Sequence, residues 1–193
     1  MIENYLQSTK QQFEYYKLLG ERSFEQLDEN ELFWKFNEES NSIAIIVNHL
    51  WGNMMSRWSD FLTSDGEKEF RNRDLEFEDV ISSREELLQK WNEGWACLFE
   101  ALNSVNKNNW ETEVYIRNQG HTVVEAINRQ LAHYSYHIGQ IVYIARMLKG
   151  EVWESLSIPK GNSANYNKEK FSKEKHREHF TDEFLGKKDT SQR

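Results

Sequence analysis

The near absence of proline constrains the fold of this chain most strongly. The only proline is Pro159, so the first 158 residues contain none, and glycine occurs nine times in 193 residues. Proline and glycine are the residues that most destabilise the interior of a helix. Long helices are therefore permitted almost throughout, and we expect an all-α fold.

Four segments have apolar residues that recur at intervals of three and four, the spacing of one helix face. In chain order they are residues 2 to about 26, Asn41 or Ser42 to about 63–68, Ser83 to about 102, and about 122–149. The charged connection at 65–81 is long and lacks periodicity, and a short β-favouring piece, 114–116, precedes the fourth helix. The expected architecture is a four-helix bundle with a long crossover between the second and third helices.

We expect one domain, because 193 residues suit one hydrophobic core better than two. Residues 1–167 would form the bundle, and residues 168–193 a charged C-terminal tail that is partly ordered or frayed.

Charge and composition exclude several classes of partner. The net charge of −8 opposes nucleic-acid binding, which usually needs a positive patch. No stretch approaches the roughly 20 apolar residues that span a bilayer, and the N-terminus lacks the pattern of a signal peptide. The single cysteine, Cys97, cannot form an internal disulfide, which fits a reducing compartment. The sequence predicts a cytoplasmic protein without nucleic-acid or membrane partners.

The sequence HYSYHIGQ in the fourth segment places His133 and His137 four residues apart, on one helix face. Such a pair either fills a core or holds a metal ion with a third ligand. The only histidine of the second segment is His49, and Gly52 and Ser56 on its stripe are small. These small residues either leave space for a pocket or let another helix pack closely.

Three neutral imidazoles without a fourth protein ligand leave one coordination position open, as in catalytic zinc sites. Imidazole also binds nickel, copper and iron, so the histidines do not identify the metal. A second pair, His176 and His179, lies in the charged tail, where we expect only an adventitious metal site.

The sequences NHLWGN and HYSYHIGQ, separated by the long crossover, resemble the DinB/YfiT-like superfamily of bacterial four-helix bundles. The longer strings NSIAIIVNHLWGNMMSRWSDFLTSDGEK, RNRDLEF and LSIPKGNSANYN look like one subfamily of it whose activity is not assigned. The resemblance extends to about residue 167. It implies a divalent metal ion, usually nickel or zinc, held by His49, His133 and His137 in a cavity between helices, often within a homodimer.

Two functions are compatible with three histidines that leave one coordination position open. The first is a metal-dependent enzyme, a transferase or hydrolase that activates a thiol or a water for attack on a small-molecule substrate. The resemblance implies a low-molecular-weight thiol such as bacillithiol or mycothiol as its cosubstrate. We expect Arg71, Arg129 or Gln140 to orient the substrate. The second is a noncatalytic, metal-binding and dimerising stress-response bundle.

Overall fold

The computed structural model describes residues 2–186, and this part of the chain is mostly helical. Its helices are α1 (Ile2–Glu25), α2 (Glu29–Leu32), α3 (Ile43–Trp58), α4 (Arg84–Ser104), α5 (Val123–Lys149), α6 (Ser163–Phe171) and α7 (Asp182–Leu185). The strands β1 (Glu113–Ile116) and β2 (Gln119–Thr122) form one antiparallel hairpin, and 3-10 turns occupy Asp74–Phe77 and Gly150–Val152. The expected all-α class agrees with these residues apart from the hairpin.

Local sequence signals explain where the long helices begin. The side chain of Ser42 accepts a hydrogen bond from the Ile45 amide and begins α3. Thr122 and Glu125 form a reciprocal capping box at the start of α5. That helix ends at Gly150, whose φ of 54° suits a residue without a β-carbon. These helix boundaries agree with the sequence predictions to within one residue.

The second predicted helix is shorter than expected, because α3 ends at Trp58 instead of near residues 63–68. The Oγ atom of Ser56 donates a hydrogen bond to the carbonyl oxygen of Gly66 at 2.7 Å, and the guanidinium of Arg57 donates to the same atom. The loop that follows α3 is therefore held against the last turn of that helix. These tertiary contacts replace the additional helical turn that the apolar spacing predicted.

The core lies between the four long helices, with α3 packed against α4 and α5, and α1 packed against α5 and α4. Tyr134 of α5 is fully buried there beside the aromatic side chains of Phe13 and Trp95. Its hydroxyl accepts a hydrogen bond from Trp58 Nε1 at 2.9 Å and donates one to Asn53 Oδ1 at 3.0 Å. These bonds fix α3 and α5 to each other one residue away from His133.

The C-terminal segment contacts α1. Gln11 donates a hydrogen bond to Asp182 at 2.7 Å, and the rings of Phe180 and Phe184 pack against Tyr15. The end of the predicted tail, residues 187–193, lies outside the described residues. Within residues 2–186, no helix is both long and apolar enough to cross a membrane.

Candidate metal centre

The structure brings His49 of α3 together with His133 and His137 of α5. The Nε2 atom of His133 lies 3.2 Å from Nε2 of His49 and 3.0 Å from Nε2 of His137. His49 and His137 are buried, whereas His133 is half-buried. Their ring nitrogens therefore converge on one point at the boundary between the core and a cavity.

The spacing of these nitrogens fits a metal ion. Two imidazole nitrogens bound to one tetrahedral zinc ion at 2.0–2.1 Å are about 3.3 Å apart. The two short Nε2 separations are close to this value, and all three ligand atoms lie within 4.8 Å of one another. The three histidines could thus hold one divalent ion with little movement of their side chains.

Acceptors on the far side of two rings orient the Nε2 lone pairs inward. His49 Nδ1 lies 2.9 Å from Glu76 Oε2, and His137 Nδ1 lies 3.0 Å from Gln140 Oε1. A carboxylate or carbonyl oxygen only accepts, so each Nδ1 carries the proton and each Nε2 keeps its lone pair. Such outer partners are typical of histidines that ligate metals, and they raise the basicity of the ring.

Glu76 is itself held in place by Arg71. Arg71 Nε donates to Glu76 Oε1 at 2.6 Å, and the side chains of both residues are buried. Burial raises the pKa of Glu76, but the hydrogen bond from His49 and the charge of Arg71 outweigh it and lower the pKa below its usual range. The carboxylate is therefore ionised and available to accept the proton of His49 Nδ1.

Gly52 explains how this carboxylate reaches His49. A β-carbon at position 52 would lie 2.5 Å from Glu76 Oε1, closer than nonbonded atoms approach. The sequence left open whether small residues on this stripe make a pocket or admit another helix. The structure shows that the side chain of Glu76, from the 3-10 turn, fills the space over Gly52.

Burial keeps the histidines of α5 unprotonated at neutral pH. Burial, followed by the nearby His137 and His49, lowers the pKa of His133 to about 3. Burial and the neighbouring His49 lower the pKa of His137 to about 4. Neutral imidazole is the form that binds metal ions, so neither ring must lose a proton first.

An open cavity of about 420 Å³ lies over the three histidines. Its aromatic walls are Phe77, whose ring stacks on His49 with centroids 4.7 Å apart, and Tyr136, which is 64% exposed. Its remaining lining is polar and includes the side chains of five arginines, Arg57, Arg71, Arg73, Arg117 and Arg129. A small molecule could therefore reach the histidines from solvent.

The residues predicted to bind substrate occupy different places. Arg129 lines the cavity, and one of its terminal nitrogens lies 3.1 Å from His121 Nε2. Arg71 also lines the cavity, but it pairs with Glu76 and with Glu67. Gln140 contacts His137 instead of lining the cavity. Substrate binding by these three residues stays a prediction.

Sequence reasoning missed Glu76, the partner of His49. It lies 27 residues after His49, in a connection without helical periodicity, so no spacing rule relates the two residues. One signal was the unusual length of the connection, because long loops in compact domains are often functional. Another was the string RNRDLEF, residues 71–77, which contains Glu76.

Searches of curated proteins and of solved structures give no match to this chain. A family model does match residues 1–162, and its description is a protein of unknown function, DUF1572. This match includes His49, Glu76, His133 and His137, and it covers most of the chain. The chain therefore belongs to the DUF1572 family.

Proposed function

We propose that this protein is a metal-dependent enzyme in which His49, His133 and His137 hold one divalent ion, zinc or nickel. The observation that carries the proposal is the convergence of three Nε2 atoms, with separations of 3.2 and 3.0 Å from His133. When bound, such an ion lowers the pKa of a thiol or a water so that it attacks an electrophile near neutral pH.

The protein's own residues would prepare this site. Glu76 and Gln140 fix the proton on Nδ1 of two rings, so the lone pairs of Nε2 stay directed inward. The buried pair of Arg71 and Glu76 holds the carboxylate against His49. Preorganised ligands of this kind need little rearrangement on binding.

The open cavity favours an enzyme over a noncatalytic bundle. A structural zinc site is closed by four protein ligands, whereas these three histidines face a cavity of about 420 Å³. A small-molecule substrate fits such a volume. We therefore propose either transfer to a low-molecular-weight thiol or hydrolysis as the reaction class.

The architecture that goes with this proposal is a DinB/YfiT-like four-helix bundle made of α1, α3, α4 and α5. The mutual packing of these helices and the long connection between α3 and α4 support it. The homodimer and the cytoplasmic location implied by the sequence stay predictions.

The test is turnover by protein reconstituted with zinc or with nickel. Thiol conjugation to a panel of electrophiles and hydrolysis of ester and amide substrates would be measured beside the His133→Ala variant and the His179→Ala control. We expect turnover that requires metal and is lost only in His133→Ala. If metal-loaded protein turns over no substrate in either panel, the proposal of an enzyme is wrong.

A further inference from the structure

Arginine is concentrated around the cavity to an unusual degree. Five of the ten arginines in the chain line it, and no lysine of the described residues does. They come from α3, from the connection after it, from the β-hairpin and from α5. Because the whole chain carries a net charge of −8, this local group of one positive residue type requires an explanation.

Carboxylates balance only part of this positive charge. Glu67 pairs with Arg57, Arg71 and Arg117, and Glu76 pairs with Arg71. Glu67 and Glu76 thus balance two of the five guanidinium charges. The carboxylate of Asp65, near Arg57 and bonded to the Arg117 amide, balances a third, which leaves two positive charges in excess.

Two of the five arginines have no carboxylate partner. Among residues 2–186, neither Arg73 nor Arg129 forms an ion pair with a carboxylate. Both residues are exposed, so their donors are accessible to a ligand that enters from solvent.

Arg117 occupies a position that its residue type does not favour. Arg117 and Asn118 form the turn between β1 and β2 with φ values of 56° and 59°. This left-handed region favours glycine and asparagine over arginine. Asp65 holds the turn by accepting hydrogen bonds from both backbone amides at 2.8 Å. An arginine in a strained turn at a cavity points to a function for its side chain.

We propose that Arg73, Arg117 and Arg129, the arginine rim, bind an oxyanion of the substrate, a carboxylate or a phosphate, above the three histidines. Guanidinium groups match both oxyanions through paired hydrogen bonds, which lysine cannot provide. Phe77 and Tyr136 offer apolar surface to the rest of the substrate. The assignment of this anion to the substrate rests on the proposed function, whereas the anion site itself does not.

Calorimetric titration tests the rim with two probes, inorganic phosphate and succinate. The proteins are zinc-loaded wild type, Arg73→Gln, Arg117→Asn and Arg129→Gln, with Arg146→Gln as the matched control on α5 outside the cavity. We expect each rim variant to weaken binding about tenfold, the equivalent of one charge-assisted hydrogen bond, and the control to leave it unchanged. Tighter phosphate binding would indicate a phosphorylated substrate, and tighter succinate binding a carboxylate.

Arg117→Asn separates binding from folding, since asparagine tolerates a positive φ better than arginine. We expect its melting temperature to stay equal or to rise while its affinity for the anion falls. A triple rim variant that binds both anions as tightly as wild type would overturn the proposal.

A titration of the His133→Ala variant without metal distinguishes the two proposals. Anion binding that persists there and depends on the rim supports the anion site even if the metal proposal fails. If wild type binds zinc but neither anion measurably, the proposal of an anion site at the arginine rim is wrong, and the proposed metal site stands.

Discussion

The chain contains two groups of neighbouring histidines. The central rings face one another, whereas the C-terminal rings face other residues. In the central group, Nε2 of His133 faces Nε2 of both His49 and His137. In the C-terminal pair, His179 contacts the hydroxyl groups of Ser8 and Thr181 through its two ring nitrogens. The ring nitrogens of the exposed His176 contact the Glu174 carbonyl and the Glu178 carboxylate.

The difference shows that sequence spacing alone does not make a metal site. Both groups contain a pair three or four residues apart, but only the central rings have lone pairs directed at one another. The partners of Nδ1 decide this, because Glu76 and Gln140 accept protons on the far side of the rings. The C-terminal rings already have partners at both nitrogens.

The largest effect should come from removing one central histidine. We expect His133→Ala to weaken zinc binding by at least about 100-fold, more than the usual loss of an outer partner. Competition against a fluorescent zinc chelator measures the affinity. His179→Ala should change the affinity less than about twofold, and equal losses in both variants would erase the contrast between the two groups.

Glu76→Gln should have the next largest effect. Gln keeps the shape but loses the charge that orients His49 and pairs with Arg71. We expect zinc affinity to fall about 10- to 100-fold. Glu78→Gln, an exposed change on the same connection, serves as the control. An unchanged affinity in Glu76→Gln would show that the carboxylate does not support the site.

Gly52→Ala should act on the same carboxylate without removing it. The new methyl group would displace Glu76 Oε1, so we expect zinc affinity to fall about five- to tenfold. Gly139→Ala is the matched control, because a β-carbon there meets no atom within 4 Å. It should raise the free energy of unfolding by about 0.5–1 kcal/mol and leave the affinity unchanged. If the two alanines behave alike, Gly52 has no special role.

Gln140→Ala should have the smallest effect. It removes a neutral hydrogen bond from His137, and its loss is worth about 0.7 kcal/mol, or about threefold in zinc affinity. Ser135→Ala on the same helix provides the control. A loss in Gln140→Ala as large as that of Glu76→Gln would reverse the expected order of the two partners.

Features that depend on neighbouring residues could be read from the sequence. The cap of α3 at Ser42, one of the two starts that the sequence allows, and the pairing of His133 with His137 each depend on positions within four residues. His49 is predictable as the third ligand because it is the only histidine of its helix. Local sequence signals therefore predict the start of α3 and the three candidate metal ligands.

Features that depend on contacts between distant residues could not be predicted from the sequence. The early end of α3 follows from hydrogen bonds to Gly66, and Glu76 reaches His49 across 27 residues. The arginines of the cavity come from separate elements that meet only in the folded chain. No periodicity records such tertiary contacts. The sequence therefore predicts Arg71 and Arg129, which do line the cavity, but not the anchoring by Glu76 or the gathering of five arginines.

Elemental analysis of untagged protein, purified without chelators, decides whether the three histidines bind a metal ion. The His49→Ala, His133→Ala and His137→Ala variants would be analysed beside wild type, with circular dichroism to verify folding. If the three histidines hold one metal ion, we expect close to one zinc or nickel ion per wild-type chain and none in each folded variant. Wild-type protein that remains metal-free after incubation with either ion would contradict this expectation and leave the three histidines as part of the core.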